Sequence, residues 1–227
     1  MINVTDKGRI IAGSDTTSTA MAATLFYLVR SPSALDRATA EVRAKFENVE
    51  DIHQGAKLTT CTYLRACIDE AMRLSPSVGG LLPREVLPRG ITIDGERIPA
   101  GMVVGTPHYT IHHNPTYYQE PFMYSPERWI PEGKFNEHDV ALAQSAFCPF
   151  SIGPRGCIGK GLAYIEMTIT LARVLFMYDL RRAEGVREPG EGIEGSEWGR
   201  HRPSEFQLVD TFTSLKSGPM IEFRRRG

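Results

Sequence analysis

Hydrophobic and polar residues follow a helical pattern through the first third of the chain, and prolines divide that pattern into segments. The first segment predicts a helix over residues 1–30, which ends before Pro32. Ser31 and Pro32 predict the start of a second, amphipathic helix, because serine is favoured at the N-cap and proline in the first turn. A third helix is predicted over about residues 60–75, where Pro76 stops it.

The next stretch is rich in glycine, proline and β-branched residues. Within about residues 78–107, Asp94 and Gly95 lie between two apolar runs, which indicates a tight hairpin turn in a small β region. Residues 108–149 are predicted to be short turns and coil, because proline recurs within residues 108–135 at four positions: Pro115, Pro121, Pro126 and Pro131.

The rest of the chain predicts one more helix and two strands. The helix is predicted to open directly after Cys157 and to run to about residue 180. Two strand-like runs with a short break between them predict a β-hairpin over about residues 205–225. No internal repeat is visible. The order of elements predicts a fold that is mainly α with minor β.

Composition narrows the class of protein. The chain has 227 residues, 41% of them hydrophobic, which suits one sizeable globular domain or at most two. The formal net charge of −1 gives no reason to expect a nucleic acid as a partner. Four cysteines are too few for a disulfide scaffold, and neither a secretory signal nor a run of about 18 apolar residues is visible.

The loop from Phe150 to Gly161 holds one cysteine, Cys157, among four glycines. A cysteine at a helix start lies where unpaired N–H groups and the helix dipole favour a thiolate. Such a cysteine could be the only protein ligand of a haem iron, with Arg155 free to pair a haem carboxylate. The alternative is a tight turn around a buried structural thiol. A zinc site has little support, because no C-x-x-C pair completes four ligands.

Two charged motifs precede this loop. Glu70 and Arg73 are three residues apart and share one helix face, a pairing that is common on exposed helices. Residues 126–129, with the sequence Pro-Glu-Arg-Trp, lie in the predicted coil. If Arg128 reached Glu70 and Arg73, the three charges would hold the coil against the helix.

A third motif, Ala-Gly-Ser-Asp-Thr-Thr at residues 12–17, interrupts the first helix with residues that compete for backbone hydrogen bonds. A small residue beside hydroxyls and a carboxylate could open a groove for O₂ and water, in which Asp15 and Thr16 relay protons. The alternative is that Asp15 or Thr16 caps a helix that starts there.

Taken in this order, the motifs resemble those of the cytochromes P450. The glycine-rich loop is similar to the complete haem loop of that family, whose pattern is matched at Phe150, Gly153, Arg155, Cys157 and Gly159. The E-x-x-R helix, the P-E-R-F coil with tryptophan in place of phenylalanine, and the oxygen-activation helix also have counterparts. The resemblance implies the C-terminal portion of the cytochrome P450 fold.

The resemblance implies haem b as cofactor, with Cys157 as the axial thiolate of the haem iron. The other residues that it implies for cofactor binding are Phe150, Gly153, Arg155, Gly159 and Arg84. Phe150 would pack near the sulfur, and Arg155 and Arg84 would each pair a haem propionate.

Two further groups of residues receive roles from the resemblance. Asp15 and Thr16 would deliver protons to the distal oxygen. Glu70, Arg73 and Arg128 would form the charge cluster that shapes the coil before the haem loop.

The implied reaction is monooxygenation of a lipophilic small molecule, in which one atom of O₂ enters a C–H bond and the other leaves as water. Electrons would come from NADPH through NADPH–cytochrome P450 reductase. Small and apolar residues at 12–17, at 78–82 and at Leu215 favour a lipophilic substrate. An alternative within the family is isomerisation or dehydration without external electrons, against which the Asp15–Thr16 pair argues.

The sequence resembles fungal microsomal-type members, but only their C-terminal half. The endoplasmic reticulum membrane is therefore the location expected for a full-length relative, with attachment only through an N-terminal segment that this chain is expected to lack. The second hypothesis is a truncated, catalytically inactive fragment that binds haem weakly at most.

Overall fold

The computed structural model describes the backbone of residues 4–227 and the side chains of residues 12–227. Its α-helices are α1 Val4–Leu28, α2 Pro32–Lys45, α3 Ala56–Thr59, α4 Thr62–Leu74, α5 His108–His112, α6 Glu137–Ala146 and α7 Lys160–Met177. Short 3-10 helices lie at Val49–Asp51, Pro126–Trp129 and Gly153–Arg155. The strands are β1 Arg84–Glu85, β2 Ile91–Ile93, β3 Glu96–Ile98, β4 Val103–Val104, β5 Tyr178–Arg182, β6 Leu208–Val209, β7 Leu215–Lys216 and β8 Ile221–Arg225. No helix among these is both long and apolar enough to cross a lipid bilayer.

Four helices enclose the main hydrophobic core. α1, α2 and α7 all pack against α4, whose Leu64, Cys67 and Ile68 are fully buried. Val42 from α2 and Leu175 from α7 complete the same core. Burial of each aliphatic side chain stabilises the fold by about 1.5–3 kcal/mol. α4 is therefore the central helix, and it carries the E-x-x-R motif.

α2 starts as the sequence predicts, with Ser31 at the N-cap and Pro32 in the first position, although the Ser31 side chain makes no capping hydrogen bond. The same helix caps its neighbour α4. The Glu41 carboxylate accepts the N–H of Tyr63 at 3.1 Å and that of Leu64 at 2.9 Å. A negative charge at these free N–H groups also suits the positive end of the α4 dipole.

The side chain of Arg43 in α2 caps the C-terminal end of α7. Its guanidinium donates to the carbonyl oxygens of Leu175 at 3.0 Å and Tyr178 at 2.9 Å. The backbone of Tyr178 is extended, with φ −129° and ψ 146°, so the helix ends at Met177. The prediction that this helix runs to about residue 180 is too long, because the following residues form a strand.

The hairpin predicted at Asp94 and Gly95 is confirmed. β2 and β3 pair antiparallel with Ile93 opposite Glu96, so two residues form the turn. Asp94 has φ 54° and Gly95 has φ 85°, and positive φ at both central residues is what a type I′ turn requires.

The C-terminal strands pair differently from the prediction. β6 and β7 form a short hairpin within the predicted range, but β8 pairs antiparallel with β5, with Leu180 opposite Phe223. The side chain of Leu180 is buried while Arg181 and Arg182 are exposed. The predicted helix runs to about residue 180 and so includes the first residues of β5, which is why the prediction gives β8 a different partner.

The coil predicted over residues 108–149 is interrupted by two α-helices, α5 and α6. The α6 start is a capping box, in which the Asn136 side chain accepts the N–H of Asp139 and the Asp139 side chain accepts the N–H of Asn136. The last of the four prolines is Pro131, so nothing in residues 137–146 opposes a helix. The coil prediction is wrong there.

Candidate functional site

Backbone hydrogen bonds fold the cysteine loop back on itself. The N–H of Cys157 donates to the carbonyl of Phe150 at 2.8 Å, and the N–H of Ser151 donates to the carbonyl of Cys148 at 2.9 Å. Gly153 has φ 73°, which glycine adopts without strain. α7 begins at Lys160 and not directly after Cys157 as predicted.

The thiol of Cys157 faces outward from this turn. Cys157 is exposed, whereas Cys61 and Cys67 are buried and Cys148 is half-buried. A buried structural thiol, the alternative reading of the loop, is therefore wrong for Cys157. The sulfur lies beside Gly159, where an added Cβ would be 3.7 Å from Sγ.

Exposed apolar side chains lie in the same loop and at the start of α7. Ile152 is 78% exposed, Ile158 fully exposed and Leu162 65% exposed. These exposed apolar side chains are close in sequence. An exposed apolar surface of this kind favours binding of a large apolar ligand. With the exposed Cys157 thiol, these side chains fit a haem bound through that sulfur.

The two arginines expected to pair haem propionates are both exposed. Among residues 12–227, Arg155 forms no ion pair, so its charge is open to a ligand carboxylate. Arg84 lies in β1 opposite Val104 and donates from Nη1 to the carbonyl of Pro83 at 2.9 Å. Among residues 12–227, no hydrogen bond joins Arg84 to the cysteine loop. Phe150 packs against Tyr164 of α7, with ring centroids 5.0 Å apart.

The structure brings Glu70, Arg73 and Arg128 together in a buried charge cluster. Arg73 donates to both Glu70 oxygens, from Nε at 2.9 Å and from Nη2 at 2.8 Å, and Arg128 Nε lies 3.4 Å from Glu70 Oε1. The Ser125 N–H and the Trp129 indole N–H also donate to this carboxylate, both at 3.1 Å. Burial raises the pKa of Glu70, but the two guanidinium groups outweigh it and hold the pKa below its ordinary value.

Arg73 also fixes the path of the coil. Its remaining N–H groups donate to the carbonyl oxygens of His112 at 2.8 Å, Pro121 at 2.7 Å and Met123 at 3.2 Å. A guanidinium has five N–H donors in a fixed plane, and here all five have acceptors. The cluster thus attaches three points of the coil to the central helix.

Asp15 and Thr16 lie in the middle of α1, so neither caps a helix that starts there. That alternative is wrong. Thr16 Oγ1 donates to the carbonyl of Ala12 at 2.6 Å, one turn earlier. The Asp15 side chain is exposed, and its carbonyl accepts the hydroxyl of Thr19 at 2.8 Å.

Hydrogen bonds link residues that lie in or next to the three segments expected to line a substrate pocket, which are residues 12–17, residues 78–82 and Leu215. Ser77 Oγ donates to the carbonyl of Thr16 at 2.7 Å, and the Ser214 N–H donates to the carbonyl of Ser77 at 2.8 Å. The Thr19 hydroxyl, which donates to the Asp15 carbonyl, also lies 3.3 Å from the carbonyl oxygen of Ser214. A cleft of about 300 Å³ adjoins this junction and is lined in part by Gly79, Gly80, Tyr109, Asp210 and Ser214.

Sequence reasoning missed two residues of the site. The sequence showed Trp129 only as a tryptophan in place of the family's phenylalanine. The available signal was that tryptophan, unlike phenylalanine, has an N–H donor, and in the structure this N–H reaches Glu70. His112 shares an i, i+4 spacing with His108, but no group of metal-ligating side chains large enough to hold an ion forms among the described residues. Nothing in the sequence indicated the hydrogen bond from the backbone N–H of Cys148 to the ring of His112.

Comparison with known proteins identifies the family. The family model described as cytochrome P450 matches residues 5–194. The chain is 49% identical to cytochrome P450 monooxygenase AKT7 of Alternaria alternata over 95% of this chain and 42% of that protein. It is 50% identical to cytochrome P450 monooxygenase apf7 of Gibberella fujikuroi over 96% of this chain and 41% of that protein. The chain thus spans about two fifths of the length of these relatives.

A solved structure, described as a crystal structure of a cytochrome P450 (CYP102L1), matches with a TM-score of 0.75 and 25% identity. The match covers 96% of this chain and 44% of the solved chain. The fold class inferred from the sequence, a mainly α portion of the cytochrome P450 fold with minor β, is confirmed. The chain belongs to the cytochrome P450 family.

Proposed function

We propose that this chain forms the haem-thiolate portion of a monooxygenase that inserts one oxygen atom from O₂ into a lipophilic small molecule. The observation that carries the proposal is the exposed Cys157 thiol in a loop whose neighbouring side chains, Ile152 and Ile158, are apolar and open. The relatives named as cytochrome P450 monooxygenases support the reaction type.

The haem, when bound, supplies the iron centre at which O₂ is reduced and activated. Cys157 would supply the thiolate that binds the haem iron. Arg155, free of ion pairs in the described residues and exposed, would bind one propionate, and Arg84 a second. A charge-assisted hydrogen bond to a carboxylate contributes about 1.5–3 kcal/mol.

Asp15 and Thr16 are proposed to handle protons. The Thr16 hydroxyl donates its hydrogen bond to the Ala12 carbonyl, so its oxygen lone pairs remain available to accept a hydrogen bond from a water. The exposed Asp15 carboxylate one residue earlier can exchange protons with solvent. The Asp15 carboxylate would take up a proton from solvent and pass it to a water that is hydrogen-bonded to Thr16 Oγ1.

The substrate, the electron donor and the location are proposed from the same reading. Hydrogen bonds among Thr16, Ser77 and Ser214 connect positions in or next to the expected pocket segments. The small or apolar residues of those segments suit a lipophilic molecule. Electrons are proposed to come from NADPH through NADPH–cytochrome P450 reductase. The endoplasmic reticulum membrane is proposed as the location of a full-length relative.

The test is a carbon monoxide difference spectrum of the full chain expressed with a haem precursor and then reduced. A red-shifted Soret band that Cys157→Ala abolishes and Cys148→Ala retains is the expected result. Cys148→Ala is the matched control, because it removes a half-buried thiol from the same stretch. No band, or a band indifferent to Cys157, would show that this chain does not assemble a thiolate-ligated haem and would favour the inactive fragment.

A further inference from the structure

A buried histidine touches the start of the cysteine loop. His112 of α5 has no exposed surface, and its Nε2 accepts the backbone N–H of Cys148 at 3.0 Å. The ring lies against Phe147, with centroids 5.5 Å apart, and meets Tyr118 edge-on at 6.5 Å. None of the roles inferred from the sequence includes this residue.

The backbone of the same residue is held by the charge cluster. The carbonyl of His112 accepts Arg73 Nη1 at 2.8 Å. Arg73 in turn is fixed by its two hydrogen bonds to Glu70. His112 therefore joins the buried cluster, through its carbonyl, to the cysteine loop, through its ring.

The hydrogen bonds continue from Cys148 to Cys157. The carbonyl of Cys148 accepts the N–H of Ser151, and the carbonyl of Phe150 accepts the N–H of Cys157. Cys148 is thus the first fixed point of the turn that ends at the thiol. Its own N–H is held by no backbone carbonyl among the described residues, only by the imidazole.

The ring must be neutral to accept this hydrogen bond, with its proton on Nδ1. Burial, followed by electrostatic interactions with His108, Arg73 and His113, lowers the pKa of His112 well below its ordinary value. Nδ1 is buried and has no hydrogen-bond partner among residues 12–227. A phenyl ring would fill the same space without that unpaired N–H, so what the imidazole adds is the acceptor at Nε2.

We propose that His112 is a positioning residue for the haem loop: its Nε2 fixes the Cys148 backbone and so sets the turn that presents Cys157. The functional part of this inference, that the loop presents a haem ligand, rests on the proposed function. The competing reading is that His112 only fills the core.

Amide exchange in the full chain separates the two readings. Labelling with ¹⁵N-cysteine gives four backbone N–H signals, at Cys61, Cys67, Cys148 and Cys157, which single cysteine-to-serine variants assign. Cys61 and Cys67 lie at and within α4 and report global opening. The variants are His112→Phe, which keeps the ring and removes the acceptor, and His112→Gln, whose amide oxygen can reach the Nε2 position.

We expect His112→Phe to accelerate exchange at Cys148 about tenfold relative to Cys67, the factor for one net hydrogen bond. Cys157 should accelerate by a smaller factor, and His112→Gln should restore both rates. His112→Asn is the matched control, because its amide is one methylene too short to reach Cys148. Equal acceleration at all four cysteines, no change in His112→Phe, or no rescue by glutamine would each overturn the inference.

The carbon monoxide spectrum of the same variants is the second readout. His112→Phe should lower the fraction of bound haem that gives the red-shifted band, and His112→Gln should recover it. If the unaltered chain shows no such band, the proposed function fails for this chain, while the exchange rates still decide whether His112 holds the loop. If the band is present and His112→Phe leaves its fraction and the Cys148 rate unchanged, the inference alone fails.

Discussion

The charge cluster around Glu70 and the loop around Cys157 differ in whether their charged side chains are buried and paired or exposed and unpaired. In the cluster, Arg73 is fully buried and every one of its donors has an acceptor within the chain. In the loop, Arg155 is exposed and forms no ion pair among the described residues. Side chains that satisfy each other build a scaffold, and side chains left open are available to a ligand.

The difference predicts that substitutions in the two regions act on different properties. A change in the cluster should lower the stability of the chain without any cofactor, because it leaves buried charges unpaired. A change in the loop should leave that stability unaltered and weaken cofactor binding. Three substitutions test this contrast, and a fourth tests how a buried histidine outside both regions makes stability depend on pH.

The largest effect is expected for Glu70→Gln. The amide keeps the shape of the carboxyl but leaves the buried guanidinium groups of Arg73 and Arg128 without a counter-charge, which should cost about 3–5 kcal/mol. Urea denaturation measures the free energy of unfolding. Glu47→Gln, at an exposed position, is the control and should change stability by less than about 0.5 kcal/mol. A loss below 1 kcal/mol for Glu70→Gln would contradict the scaffold role.

The second largest effect is expected in the pH dependence of stability, because His113 is buried. Its ring stacks on that of Tyr109, with 4.0 Å between the ring centroids. Burial lowers the pKa of His113 from 6.5 to about 4. Between those pH values the unfolded chain binds a proton that the folded chain does not, so stability should fall as pH decreases, by about 3 kcal/mol in total. Denaturation of His113→Phe at several pH values should show a shallower fall than the unaltered chain. His53→Asn, at an exposed site, is the control for removing an imidazole, and an equally steep fall in both chains would refute the assignment.

Trp129→Phe should have the third effect. Phenylalanine retains an aromatic ring beside Phe147, which lies 4.6 Å from Trp129 between centroids, but it removes the indole N–H from Glu70. Loss of a hydrogen bond to a charged group should cost about 1.5–3 kcal/mol in urea denaturation. Trp198→Phe is the matched control, because Trp198 is 79% exposed. Equal losses from the two variants would mean that the indole N–H contributes nothing to the cluster.

The smallest effect on stability is expected for Arg155→Gln. Unfolding of the cofactor-free chain should change by less than about 0.5 kcal/mol, since the side chain is exposed. Haem affinity, measured by titration, should fall by about tenfold or more for the loss of one charge-assisted hydrogen bond. Arg187→Gln, at another exposed arginine, should alter neither quantity. An unchanged haem affinity for Arg155→Gln would remove it from the binding site.

Short-range features of the molecule could be predicted from the sequence. Pro32 at the start of α2 and the Asp94–Gly95 turn depend on the conformations that those residues themselves prefer. The capping box of α6 was also local, and the asparagine and aspartate three residues apart at 136 and 139 could have revealed it.

Contacts between distant residues could not be predicted in the same way. Glu70, Arg73 and Arg128 were identified as candidates, but the carbonyl partners of Arg73 lie 39 to 50 residues away along an irregular coil. The bond from Cys148 to His112 spans 36 residues. Such partners depend on how the coil packs, which no local preference determines.

The pairing of β5 with β8 also affects how the chain is made. β5 follows the helix that carries the cysteine loop, yet its partner Ile221–Arg225 is translated about 40 residues later. At about 5–20 residues per second, a ribosome needs about 2–8 seconds to supply it. During that interval the edge of β5 has no strand to pair with. When β8 arrives, Asp179 with Arg224 and Arg181 with Glu222 give opposite charges at matching positions, so the nascent chain closes in one register.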